Sequence, residues 1–343
     1  MNRLYVLVVT LLVTGCSPAK QESTAVPAQQ ITGAGATFPA PIYQKWFGNY
    51  HAAHPDVEIN YQSIGSGAGI QQLTSGTVDF GASDMPMTDE QISKIKTHTL
   101  HFPTVLGAAV PVYNVPGAPA DLKFSGETLA GIFLGKIKKW NDPAWAKDNP
   151  GVKLPAQDIV VVHRSDGSGT SFMWTDFLAK VSPEWKSKVG VNSSVSWPLG
   201  LGAKGSEGVS GSVKQTPYSI GYVELTYAVQ NKMSYGSVKN AAGNFVKATL
   251  ASVSEAAAGA AKNMPADFRV SITNAPGENA YPISSFTWLL IPTQIPDAKK
   301  AAAIKGFLQW MLTDGQKEVS TLDYAPLPKE VVAKETAQIA EIK

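Results

Sequence analysis

The 343-residue chain is 44% hydrophobic and 16% charged, which excludes a disordered polypeptide, and it is longer than one hydrophobic core usually serves, so two compact lobes are expected. Lysine and arginine number 29 against 27 aspartates and glutamates, a formal net charge of +2. So small a charge on so long a chain excludes the basic footprint of a nucleic-acid binder and leaves recognition to local chemistry.

Arg3 precedes ten mostly apolar residues, Leu4 to Val13, too few to span a bilayer but suited to a signal-peptide core. Leu12-Val13-Thr14-Gly15-Cys16 resembles a bacterial lipobox. Residues 1–15 are therefore read as a signal peptide, and Cys16, the only cysteine, as the lipidated first residue of the mature chain. With Cys16 as an anchor no thiol remains for a disulfide, and the fold must hold by packing. Residues 16–30, rich in Ser, Pro, Ala and Gln without periodicity, read as a flexible linker, and folding is expected from near Ile31. No other apolar run approaches membrane-spanning length, so a soluble, tethered body is expected.

From Ile31 onward, short β-like runs alternate with helical ladders, the pattern of α/β layers with a largely parallel sheet. Ile42, Tyr43, Trp46, Phe47 and Tyr50 share one face of a helix starting around Thr37-Phe38-Pro39. Val57, Ile59 and Tyr61 alternate as a strand, and Gly65 to Gly69 turns into a helix through Ile70 and Leu73. Val78 to Ser83 is a strand ended by Asp84 and Pro86, and Thr88 with Gln91 is a capping-box start. Thr104 to Tyr113 is a long apolar strand and a candidate crossover into a second lobe. There, Ile159 to Val162 reads as a strand, Trp174, Phe177, Leu178 and Val181 as a helix, Ile220 to Val223 as a strand, and Glu255 to Lys262 as an Ala-rich helix. Phe286 to Ile291 returns to the first lobe, closed by a helix carrying Ile304, Phe307, Leu308 and Met311. The division is 31–105 plus 283–343 for lobe 1 and 106–282 for lobe 2, with two crossings forming a hinge.

Arg164-Ser165-Asp166-Gly167-Ser168-Gly169-Thr170-Ser171 places a fixed cation, four hydroxyls and two glycines in a strand-to-helix turn. Uncovered backbone N–H groups, the positive end of a helix and a guanidinium fork suit a tetrahedral oxyanion. One such turn is equally an ordinary helix cap. Gly33-Ala34-Gly35-Ala36-Thr37-Phe38 and Ile64-Gly65-Ser66-Gly67 repeat the pattern, and in α/β sheets these turns gather at the carboxyl ends of the strands. Three together favour an anion site in the cleft between lobes. Asp84, at the end of a strand, narrows the ligand: an ionised carboxylate only accepts hydrogen bonds, and monohydrogen phosphate can donate one whereas sulfate cannot. Asp166 is expected to pair with Arg164 and fix its plane.

The segments TGAGATFPAPIY, IGSGAGIQQL, TVDFGASDMP, LGKIKKWNDP, RSDGSGTSF, WPLGLGAKG and IGYVEL resemble those of the periplasmic phosphate-binding proteins of high-affinity bacterial phosphate ABC importers. The resemblance covers almost all of the chain after Gln30. It implies a two-lobed periplasmic-binding-protein fold that closes on inorganic phosphate in the inter-lobe cleft. It also implies delivery to an inner-membrane ABC permease with cytoplasmic ATPase subunits. Site roles carried over are Thr37 (hydroxyl and amide), Phe38 (amide), Ser66 (hydroxyl and amide), Asp84 (proton acceptor), and Arg164 steadied by Asp166. Ser168, Gly169 and Thr170 donate from the helix start. Many relatives have a second serine where this chain has Gly67, and the lipobox departs from soluble secreted members. A monomer in the periplasm or cell envelope, tethered to the membrane through Cys16, with no cofactor, is expected.

Other oxyanions remain rivals: Asp84 opposes sulfate and molybdate but not arsenate, which carries a similar proton. A serine hydrolase using Ser168 with His163 fits poorly, because Gly167-Ser168-Gly169 is not the G-x-S-x-G elbow. His51 with His54 and His98 with His101 lack a completing ligand for a metal and are read as helix-surface histidines.

Overall fold

A computed structural model describes residues 28–343; the signal segment, Cys16 and the linker as far as residue 27 lie outside the described residues. The strands are β1 (Gln29–Gly35), β2 (Val57–Ser63), β3 (Phe80–Ser83), β4 (Thr99–Asn114), β5 (Lys123–Phe124), β6 (Val160–Arg164), β7 (Leu201–Ala203), β8 (Ser219–Glu224), β9 (Ser234–Tyr235), β10 (Ser237–Lys239), β11 (Phe245–Val246) and β12 (Ser284–Pro292). The main sheet runs β2-β1-β3-β12-β4-β8-β6-β7, with β9 also on β4, and β11-β10-β5 form a small separate sheet.

The parallel pairs are β1 with β2 and β3, and β6 with β7 and β8; every antiparallel pair in the main sheet involves β4 or β12. This division follows from connectivity. Helices Ala40–Ala53 and Ser66–Ser75 return the chain from β1 to β2 and from β2 to β3, as a parallel order requires. β1 starts at Gln29, two residues ahead of the expected onset at Ile31.

β4 is the long strand the apolar run announced, extended back to Thr99 because its first part has a partner. Thr99–Ala108 pair with β12 and Ala109–Asn114 with β8. The chain comes back beside that change of partner: Ser284 faces Ala108, and Ala109 N–H donates to the Ile283 carbonyl at 2.9 Å. Two crossings side by side join the two halves. The β4–β12 register also slips, with Thr287 opposite Val105 but Trp288 opposite Pro103, so Thr104 bulges out. Its hydroxyl donates to the Thr287 carbonyl (3.2 Å) and lies 3.0 Å from the Tyr43 hydroxyl.

The aromatic face of the first helix is buried as its spacing predicts, with Phe47 against Phe307 of helix Ala298–Thr313 at 5.2 Å between ring centroids. In the second half, Trp174 of helix Gly169–Val181 stacks on Tyr222 of β8 at 4.9 Å. One expectation fails. His98 and His101 are not on a helix: His101 belongs to the buried part of β4, where its Nε2 accepts from the Met87 N–H at 3.1 Å and burial pushes its pKa down to about 4. Pairing of Thr99 and Leu100 with β12 decides this, and no local pattern reports that pairing.

Candidate functional site

β6 ends at Arg164, and the turn after it leads into helix Gly169–Val181 with Ser168 as N-cap, its hydroxyl accepting from the Ser171 N–H at 3.1 Å. Arg164 is only 3% exposed and is the only lysine or arginine buried to that degree among the described residues. Its Nε donates to Asp166 Oδ1 (2.8 Å) and its Nη2 to Asp166 Oδ2 (2.6 Å). That fork uses two of the five guanidinium hydrogens and leaves three for a ligand. Burial pushes the Asp166 carboxyl up, but Arg164 outweighs it and holds the group below the usual range. The Arg164 backbone N–H in turn donates to the Tyr222 hydroxyl, which lies 2.7 Å from the Ser171 hydroxyl.

Asp84 follows β3 and is 1% exposed. Burial pushes its pKa up to about 7 against the opposing pull of the Thr287 hydroxyl and the Arg164 charge. The Thr287 hydroxyl donates to Asp84 Oδ1 at 2.9 Å, reaching it from the bulged stretch of β12. Ser66, first residue of helix Ser66–Ser75, accepts from the Asp84 N–H (3.2 Å) and from the Gly169 N–H (3.1 Å), leaving its single hydrogen to donate. The second contact joins turns from opposite halves of the molecule. So does the Gly67 N–H to the Gly167 carbonyl, at 2.9 Å. Gly169 tolerates no side chain, since a Cβ there would fall 2.6 Å from Asp84 Cβ. Thr170 is buried beside it, with its hydroxyl oxygen unpartnered.

Thr37 and Phe38 lie between β1 and the first helix and are buried, Thr37 at 2% exposure. Gly35 makes this turn possible: it has φ +151°, and a Cβ there would meet the Ala82 carbonyl oxygen at 2.0 Å. The Phe38 carbonyl accepts from the Tyr324 hydroxyl at 2.6 Å, and its ring covers Gly107 of β4, where a Cβ would fall 2.5 Å from the ring. The Thr37 carbonyl accepts from the Tyr227 hydroxyl at 2.6 Å.

Hydrogen bonds thus join Ser66, Asp84 and Gly169 directly, and Arg164 with Asp166, while Ser168 and Thr170 flank Gly169 in the same turn. Thr37, with Phe38 beside it, meets the others only through the neighbouring Gly205 and Ser206, whose N–H groups donate to Asp166 and Thr37. Cys16, the expected lipid site, lies outside the described residues. Sequence reasoning missed Ser206, Tyr227 and Thr287. Ser206 heads a further helix, Gly205–Gln215, with its hydroxyl 2.9 Å from that of Thr37, and its Gly-Ser start was the one local signal that could have marked it. Tyr227 and Thr287 carry no such mark. Nor does Ser168 pair with His163: the serine caps its helix, while the His163 ring stacks on Trp197 at 4.8 Å with Nδ1 3.0 Å from the Arg164 carbonyl.

A family model described as the PBP superfamily domain matches residues 20–315. The phosphate-binding protein PstS of Pasteurella multocida (strain Pm70) is 48% identical over 312 residues, 91% of this chain and 90% of that protein. The chain belongs to the PstS family. A PstS of Xylella fastidiosa (strain Temecula1 / ATCC 700964) is 44% identical, over 96% of this chain and 94% of that one. Among solved structures, the phosphate-bound substrate-binding protein of a putative phosphate ABC transporter from Clostridium perfringens matches with a TM-score of 0.64 at 19% identity, covering 88% of this chain and all of that one. At that identity the likeness concerns the fold, which is the two-lobed periplasmic-binding-protein fold with helix-flanked sheets.

Proposed function

We propose that this PstS-family chain captures monohydrogen phosphate between its lobes and delivers it to an ABC import permease, acting as a binding protein and not as a catalyst. The ligand shell of this reading is Thr37, Phe38, Ser66, Asp84, Arg164, Ser168, Gly169 and Thr170, with Asp166 holding Arg164 in plane. The observation that carries it is the burial of one carboxyl, Asp84, together with one forked cation, Arg164, among converging helix starts. A cation and N–H donors bind any oxyanion, whereas a buried carboxylate selects one that still bears a hydrogen. The hinge of this reading lies where β4 changes partner at Ala108 and Ala109, a few residues from the boundary expected at 105/106. A lipid on Cys16 would tether a monomer in the periplasm.

Calorimetric titration of ligand-stripped protein tests the reading. Phosphate heat with no sulfate heat at pH 8 is expected. No heat with phosphate, or equal heat with sulfate, overturns it. Arsenate titrated alongside decides whether selection rests on the hydrogen alone, in which case it binds as phosphate does.

A further inference from the structure

Helix Gly205–Gln215 begins without a cap of its own: the residue before it, Lys204, contributes no side-chain hydrogen bond. Its first two N–H groups are instead taken by site residues. Gly205 N–H donates to Asp166 Oδ1 at 3.1 Å, and Ser206 N–H donates to Thr37 Oγ1 at 3.3 Å. Thr37 comes from the opposite half of the molecule, so contact between the lobes caps this helix in trans. The Ser206 and Thr37 hydroxyls are 2.9 Å apart and both buried, Ser206 at 1% exposure. Two hydroxyls in contact share one hydrogen and leave one free. With Ser206 donating, Thr37 Oγ1 accepts from both Ser206 donors, and its own hydrogen is left for an anion. The Tyr227 hydroxyl holds the same residue from the carbonyl side at 2.6 Å.

We propose that Ser206 is a positioning residue of the anion site, which orients the Thr37 hydroxyl as a donor once the lobes meet and thereby slows ligand release. The inference rests on the phosphate reading above. Because the contact forms only when the lobes meet, Ser206 acts on the closed complex and not on encounter with the ligand.

Stopped-flow tryptophan fluorescence with inorganic phosphate separates the two rates in the full folded protein. Ser206→Ala is expected to raise the dissociation rate about tenfold, as for one lost hydrogen bond, with association within about twofold of the unaltered protein. Ser206→Thr restores slow release, sulfate stays excluded in both, and the ligand-free melting temperature does not move. In a Thr37→Val background, Ser206→Ala adds less than about twofold, because the partner is gone. An unchanged dissociation rate in Ser206→Ala, or an undiminished effect in Thr37→Val, overturns the inference while phosphate binding stands. A fall in ligand-free melting temperature that Ser206→Thr does not repair makes the residue structural and also overturns it. No phosphate binding by the unaltered protein overturns the ligand reading and this inference together.

Discussion

In the proposed function ligand choice turns on Asp84, and its raised pKa gives that choice a pH dependence. Above about 7 the carboxylate is ionised and repels an oxyanion that has no hydrogen to offer. Below that value Asp84 is a carboxylic acid, able to donate to sulfate as readily as to phosphate. Sulfate exclusion should therefore be strong at pH 8 and weaken progressively toward pH 5, measured as the ratio of the two affinities by calorimetry. Asp84→Asn should bind sulfate at both pH values and lose the trend. Stability follows the same proton. The folded value of about 7 lies above the ordinary 3.8, so between these values the folded chain holds a proton that the unfolded chain has released, and ligand-free stability falls as pH rises through that window. Each pH unit crossed within it costs about 1.4 kcal/mol for this one group, and denaturant melts of Asp84→Asn should show a correspondingly shallower dependence, the buried Glu224 and Glu335 carboxyls, which burial also pushes up, supplying the remainder. Arg164→Ala, which leaves Asp166 without its cation and the ligand without a fork, should weaken phosphate binding by about 3–5 kcal/mol.

Among the elements, β12 matters more than its apolar sequence suggests. The slip at Thr287 and Trp288 leaves Thr104 unpaired and accompanies the approach of the Thr287 hydroxyl to Asp84 Oδ1. That hydrogen bond favours the ionised carboxylate, so Thr287→Val should raise the Asp84 pKa further and move the loss of sulfate exclusion to higher pH. The pH midpoint of the selectivity ratio reads this directly, and an unmoved midpoint would show that Thr287 only fills space. β4 is constrained in a different way. Its Gly107 lies under the Phe38 ring, one residue before Ala108, the last residue of β4 paired with β12. Gly107→Ala should destabilise the fold by about 1–3 kcal/mol through overpacking, visible in denaturant unfolding.

At the scale of the whole molecule, four contacts between the lobes fall on the turns of the proposed site, Ser66 with Gly169, Gly67 with Gly167, and Thr37 with Ser206 and Tyr227, while others, such as Arg269 with Asp89 and Trp288 with the Phe268 carbonyl, lie away from it. A ligand that binds only this arrangement stabilises it by mass action. Phosphate at one hundred times its dissociation constant should add about 2.7 kcal/mol to unfolding stability, with sulfate at pH 8 adding nothing, as followed by thermal melts.

Much of this was legible in the sequence because it is local. A glycine-rich turn after a β-branched run announces a helix start with bare N–H groups, and Arg164 two residues from Asp166 announces a fork; the chain itself holds these partners close. Likewise, 3.6-residue spacing placed Tyr43, Trp46 and Phe47 on one buried face. Tertiary structure alone decided the rest. Ser206 meets Thr37 across 169 positions, Tyr227 meets it across 190, and Thr287 meets Asp84 across 203. Periodicity carries no record of such distances. His101, read as a surface residue and found buried in β4, failed for the same reason: which strand lies beside which is settled by packing, after the local pattern has had its say.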